Sequence, residues 1–62
     1  MKVYEVVTKY FNNGRVRVAF HTYELDHLPK NRMEELPRCD VYHDYFTDQL
    51  AASRHYAESK RA

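Results

Sequence analysis

The side chains that could bind a metal or act as a nucleophile are few and poorly spaced for either role. The chain has one cysteine, Cys39, and four histidines. Cys39 and His43 lie four residues apart, which suits metal ligands on a helix, but on a strand this spacing separates them by roughly 13 Å. No Cys-x-x-Cys pair and no zinc-knuckle spacing occurs. The sequence therefore predicts no metal site and no cofactor.

The sequence does not indicate a catalytic centre either. A nucleophilic Cys39 would need a base or a helix N-terminus beside it to form the thiolate, and neither follows it along the chain. Asp40 and Asp44 fall on a predicted strand and Asp48 at a predicted helix start, so we interpret them as edge charges and a helix cap. A chain of 62 residues also has little volume for a water-excluding pocket. We expect a protein that is not an enzyme.

Aromatic side chains are the more informative group, because the chain holds six tyrosines and three phenylalanines. Pairing the first two predicted strands places Tyr4 opposite Tyr23 and Tyr10 opposite Arg17. An exposed patch of tyrosines with an arginine is typical of the residues that dominate protein interfaces. The predicted contact set for a protein partner is therefore Tyr4, Tyr10, Arg17, His21 and Tyr23.

Other roles for this aromatic face remain open. Single-stranded nucleic acid could stack its bases on the tyrosines while Lys2, Arg15 and Arg17 meet phosphates. The face could instead form the seam of a small homodimer, or the aromatic pairs could only stabilise the sheet.

Composition limits the choice of partner and compartment. The formal net charge is +1, so the chain lacks both the strong basic excess of a general nucleic-acid binder and the acidity of a DNA mimic. The N-terminal segment does not resemble a signal peptide, and no apolar run is long enough to span a membrane. A single cysteine forms no intramolecular disulfide. We expect one cytoplasmic domain over residues 1–62, with no membrane partner.

The elements that must position the aromatic face begin with a β-hairpin. Residues 2–11 are rich in β-branched and aromatic side chains, which favour a strand, and residues 15–25 form the return strand. Asn13 and Gly14 predict a two-residue type I′ turn. In that register the core face carries Val7, Phe11, Val16, Val18 and Phe20.

The second half of the chain predicts one more strand and a helix. Residues 26–38 hold both prolines and are expected to be a mobile loop or to contain one short helical turn from Asn31. Residues 39–46 form the third strand. Thr47 or Asp48 then caps a helix that ends near Lys60. Its apolar side is expected to carry Leu50, Ser53, Tyr56 and Ala57. The fold class is α+β, ββ(β)α, with this helix packed on one face of an antiparallel sheet.

Three segments resemble small uncharacterised proteins of bacteriophages and mobile elements in Firmicutes. They are the start Met1-Lys2-Val3-Tyr4-Glu5-Val6, the turn Asn12-Asn13-Gly14-Arg15-Val16 and the run Asp40-Val41-Tyr42-His43-Asp44-Tyr45-Phe46-Thr47. The resemblance implies an accessory protein that docks on a host protein or defence complex, such as an anti-CRISPR inhibitor. It would act by steric occlusion through the aromatic face and the 26–38 loop. No site residue carries over from this group.

Overall fold

Four antiparallel strands and one helix make up the chain in the computed structural model, which describes residues 1–61. They are β1 (Lys2–Phe11), β2 (Val16–Glu24), β3 (Arg32–Glu35), β4 (Cys39–Phe46) and α1 (Gln49–Arg61). The strands form one sheet in the order β2-β1-β4-β3. The helix packs against β1, β2 and β4. The predicted α+β class, with a hairpin and one C-terminal helix on the sheet, is confirmed.

The segment predicted to be irregular contributes a short edge strand, which is β3. Its four residues pair with β4, beginning with Arg32 opposite His43. No helical turn starts at Asn31. Its side-chain oxygen instead accepts a hydrogen bond from the backbone N–H of Tyr45, at 2.9 Å. This bond fixes the connection to the end of β4, and the predicted third strand becomes an inner strand of the sheet.

The turn between β1 and β2 has three residues, not the two expected. The backbone N–H of Phe11 donates to the carbonyl of Arg15 at 2.8 Å, and that of Gly14 donates to the carbonyl of Phe11 at 3.0 Å. Gly14 has φ 89°, whereas no non-glycine residue among 1–61 has positive φ. A type I′ turn needs positive φ at Asn13 as well. The geometry is that of a type I turn closed by a glycine bulge, and the predicted turn type is wrong.

This turn shifts the hairpin register by one residue. Tyr10 pairs with Val16, where the two-residue turn would have paired Phe11 with Val16. A shift of one residue moves every side chain of β2 to the other face relative to β1. Val16, Val18 and Phe20 therefore share a face with Tyr4 and Tyr10, while Arg17, His21 and Tyr23 lie on the opposite face. The prediction that the five contact residues form one surface is wrong.

The helix covers the face that carries Tyr4. The Phe20 ring lies 6.1 Å from the ring of Tyr4 and 5.8 Å from that of Tyr56 on the helix. Val6 is fully buried on this face, and so is Ala52 of the helix. The helix is therefore packed over part of the set that was expected to be open to a partner.

The start of α1 is as predicted, but its packed side is not. The carboxylate of Asp48 accepts a hydrogen bond from the backbone N–H of Leu50 at 3.1 Å, so Asp48 is the N-cap. Leu50 is 59% exposed, although it was expected on the apolar side. The residues turned toward the sheet recur at helical spacing and are Ala52, His55, Tyr56 and Ser59. The small Ala52 and Ser59 allow the helix to approach the sheet closely.

Candidate binding cleft on the uncovered sheet face

The sheet face opposite the helix forms an open cleft of about 590 Å³. Val7 and Val41 form its apolar floor and are nearly buried. Leu25 and Pro29 of the β2–β3 connection line one side, and Leu36 of the β3–β4 hairpin lines another. The cleft therefore depends on the connection that was expected to be a mobile loop.

One carboxylate, that of Glu5, organises the polar side of the cleft. Glu5 is only 5% exposed. Its Oε1 accepts a hydrogen bond from the Tyr23 hydroxyl at 2.8 Å, and its Oε2 lies 3.0 Å from Nδ1 of His43. Burial acts to raise the pKa of Glu5, but hydrogen bonds from Tyr45, His43 and Tyr23 outweigh it and hold that pKa below its ordinary value. Glu5 is a buried anion stabilised by the groups around it.

The hydrogen bonds of Glu5 continue across the sheet to its edge. Nε2 of His43 lies 2.9 Å from the Glu34 carboxylate, and this carboxylate lies 2.6 Å from Nη1 of Arg32. An imidazole donates from both nitrogens only as the imidazolium, so His43 satisfies both carboxylates when it is positively charged. Arg32 and His43 together lower the pKa of Glu34. Each strand contributes a member, and we call Tyr23, Glu5, His43, Glu34 and Arg32 the four-strand network.

Two tyrosines remain hydroxyl donors because Glu5 is charged. The hydrogen bond to Glu5 raises the pKa of Tyr23, and burial followed by the same carboxylate raises the pKa of Tyr45. Both oxygens of Glu5 are engaged within the protein. A ligand in the cleft would therefore meet the exposed parts of Tyr23, His21 and Leu36, with the network acting as rigid support.

One end of the uncovered face is basic. Lys9 and Arg17 lie directly opposite each other on β1 and β2, and Arg15 follows at the turn beside Phe11. Like charges in that arrangement destabilise a strand pair. Within residues 1–61, none of these three side chains makes an ion pair. This basic end can attract an anionic group.

Sequence reasoning found part of this site and missed its centre. Arg17, His21 and Tyr23 lie on the uncovered face as a group, whereas Tyr4 and Tyr10 lie on the helix face. Glu5 and His43 were not predicted. The available signal was an acidic residue at position 5 between apolar residues of the same strand, because a buried charge requires partners.

Comparisons with known proteins do not assign the chain to a family. No family model, no curated protein and no solved structure matches the chain. Among residues 1–61, no group of three or more histidine, cysteine or acidic side chains is arranged to hold a metal ion. The described part of the chain also has no helix long and apolar enough to cross a membrane.

Proposed function

We propose that this chain is a non-enzymatic protein-binding module whose contact surface is the uncovered sheet face. The observation that carries the proposal is the cleft, where an apolar floor lies beside a network joining all four strands. A surface held rigid before binding loses little conformational entropy when a partner docks. Apolar area next to exposed tyrosine and arginine is typical of interface centres.

The contact set differs from the one expected from sequence. Arg17, His21 and Tyr23 remain, and the His21 and Tyr23 rings lie 6.1 Å apart. Leu36 joins them because it is 47% exposed at the rim of the cleft. Tyr4 and Tyr10 leave the set because both lie on the helix face of the sheet.

The resemblance to phage accessory proteins suggests a more specific role. The partner would be a host protein or defence complex, and the module would inhibit it by steric occlusion. The β2–β3 connection lines the cleft, so it would lie within the occluding surface. The proposed site of action is the host cytoplasm.

Single-strand nucleic-acid binding is the second candidate, and the basic end of the same face favours it. Lys9, Arg15 and Arg17 have no acidic partner among the described residues. Asp40 and Asp44 of β4 lie on the helix face, so they would not repel a phosphate chain bound to the uncovered face. Aromatic groups on a sheet with nearby cations suit stacked bases.

Capture from a nuclease-treated bacterial lysate tests the proposal. The wild type is compared with Arg17→Ala/His21→Ala, which removes exposed groups of the cleft face and leaves the four-strand network intact. The matched control Leu50→Ala/Arg54→Ala removes exposed groups of the helix. We expect the wild type and the control to retain one protein that the cleft variant loses, with all three folded by circular dichroism.

Other outcomes separate the alternatives. Equal retention by the cleft variant and the wild type would contradict the proposal. Retention that disappears with nuclease, or oligonucleotide binding that falls steeply with salt, would favour nucleic acid. A homodimer through this face would double the molecular mass in solution without any ligand.

A further inference from the structure

We propose that a pocket beside the helix binds the guanidinium group of an arginine side chain from a partner protein. The pocket has a volume of about 280 Å³ and lies on the sheet face opposite the cleft. Its lining comes from β1, β4 and α1 and consists of Thr8, Tyr10, Tyr42, Asp44, His55 and Ser59. This inference does not rest on the proposed function of the cleft.

Thr8 supplies the first observation. It is only 2% exposed, and its Oγ1 has no hydrogen-bond partner among the described residues. A buried hydroxyl without a partner is unfavourable, and such groups are rare in folded proteins. Thr8 lines the pocket, and binding requires the lining to move enough for a ligand donor to reach this buried oxygen.

The aromatic wall supplies the second observation. The rings of Tyr10 and Tyr42 lie 5.6 Å apart at 85°, edge to face. Both tyrosines are partly exposed, so the pair borders the pocket at the surface. Tyrosine ring faces attract cations, and a planar guanidinium can also stack on them.

The charge of the pocket selects a cation. Oδ2 of Asp44 lies 2.9 Å from Nε2 of His55, and its second oxygen makes no hydrogen bond within residues 1–61. Asp40 and Glu35 are cross-strand partners on the same sheet face. A guanidinium carries five donors in one plane, so one arginine can reach Asp44 and Thr8 while it stacks on a tyrosine. An ammonium group lacks the stacking surface.

A titration followed by amide NMR shifts tests the pocket. The probe is Nα-acetyl-arginine amide, and its matched control is Nα-acetyl-citrulline amide, which keeps the shape of arginine without the charge. We expect arginine to shift the signals of Thr8, Tyr10, Tyr42 and Asp44, with a dissociation constant on the order of millimolar for so small a ligand. Citrulline should bind at least about tenfold more weakly because a charge-assisted hydrogen bond is lost.

Two variants separate binding from folding. Asp44→Asn keeps the side-chain shape and should weaken arginine binding about tenfold, whereas Asp26→Asn makes the same charge change in the β2–β3 connection and should not. Thr8→Val should weaken binding and raise the melting temperature, because it removes the unpaired hydroxyl. Equal shifts with citrulline, shifts confined to the cleft face, or unchanged binding in Asp44→Asn would overturn the proposal.

Discussion

At the scale of single residues, one buried carboxylate, that of Glu5, organises the cleft. Glu5 lies between Val3-Tyr4 and Val6-Val7 of β1, and it is tolerated because its two oxygens have hydrogen-bond partners. A buried charge that loses such partners is strongly destabilising. The groups around Glu5 therefore stabilise the fold and shape the cleft at the same time.

Replacing Glu5 should change both stability and its dependence on pH. The pKa of Glu5 is lower in the folded chain than in the unfolded chain. The resulting stabilisation is present above about pH 4.3, the unfolded value, and is lost as the pH falls through the lower folded pKa. We expect Glu5→Gln to lower the free energy of unfolding at pH 7 by about 1–3 kcal/mol and to flatten the acid limb of the stability curve.

Urea unfolding between pH 3 and pH 7 measures both effects. Glu58→Gln is the matched control, because Glu58 is exposed on the helix and no hydrogen bond or ion pair of its side chain occurs among residues 1–61. Glu58→Gln should leave the curve close to that of the wild type. If Glu5→Gln also follows the wild-type curve, the charge of Glu5 does not stabilise the fold through the four-strand network.

At the scale of elements, a single turn decides which side chains meet. The three-residue turn places Phe20 under the helix and Tyr23 beside Glu5. A two-residue turn would have placed Phe20 on the uncovered face and Tyr23 on the helix face. Gly14 holds this turn because its φ of 89° lies in the region that other residues rarely adopt.

Substitution of Gly14 tests the turn directly. A Cβ at this position meets no atom within 4 Å, so the cost comes from backbone conformation and not from a clash. We expect Gly14→Ala to lower the free energy of unfolding by about 1 kcal/mol, and Gly14→Asn to lower it less, because asparagine tolerates positive φ. Urea unfolding of both variants is the measurement. A Gly14→Ala variant as stable as the wild type would show that the glycine bulge is absent.

The same elements show how far the sequence predicts the structure. β1, β4 and the capped helix follow from β-branched residues and from Asp48, because these signals are local. β3 was missed because Arg32-Met33-Glu34-Glu35 has little strand preference of its own and is held by pairing with β4. The network was missed because Glu5 and His43 lie 38 residues apart and meet only through the strand order.

At the scale of the whole molecule, the two sheet faces differ in charge. The net charge of +1 hides a basic end on the uncovered face and the acidic pocket on the helix face. Each face could therefore engage a different part of one partner. A module of this size buries only about 60% of the surface that its unfolded chain exposes and is marginally stable alone, so a partner that binds the folded chain should also raise its stability.

The salt dependence of binding distinguishes a protein partner from a nucleic-acid partner. For single-stranded nucleic acid, the logarithm of the binding constant should fall with the logarithm of the salt concentration. The expected slope is about −0.7 for each phosphate contacted. A protein held by the cleft should remain bound when salt rises from about 50 to 200 mM, because burial of apolar surface is not screened. Retention at both salt concentrations is the expected result. With three phosphates contacted by Lys9, Arg15 and Arg17, that slope gives a loss of roughly twentyfold over this range, and a loss of that size would favour nucleic acid.

The most direct test of the central claim is hydroxyl-radical footprinting of the captured complex against the free chain. Tyr23 on the cleft face is 40% exposed and Tyr42 on the helix face is 39% exposed, so the free chain should oxidise at both. We expect the partner to protect Tyr23, while Tyr42 reports separately on the arginine pocket. A Tyr23 that stays as reactive in the complex as in the free chain would contradict the claim that the uncovered sheet face is the binding surface.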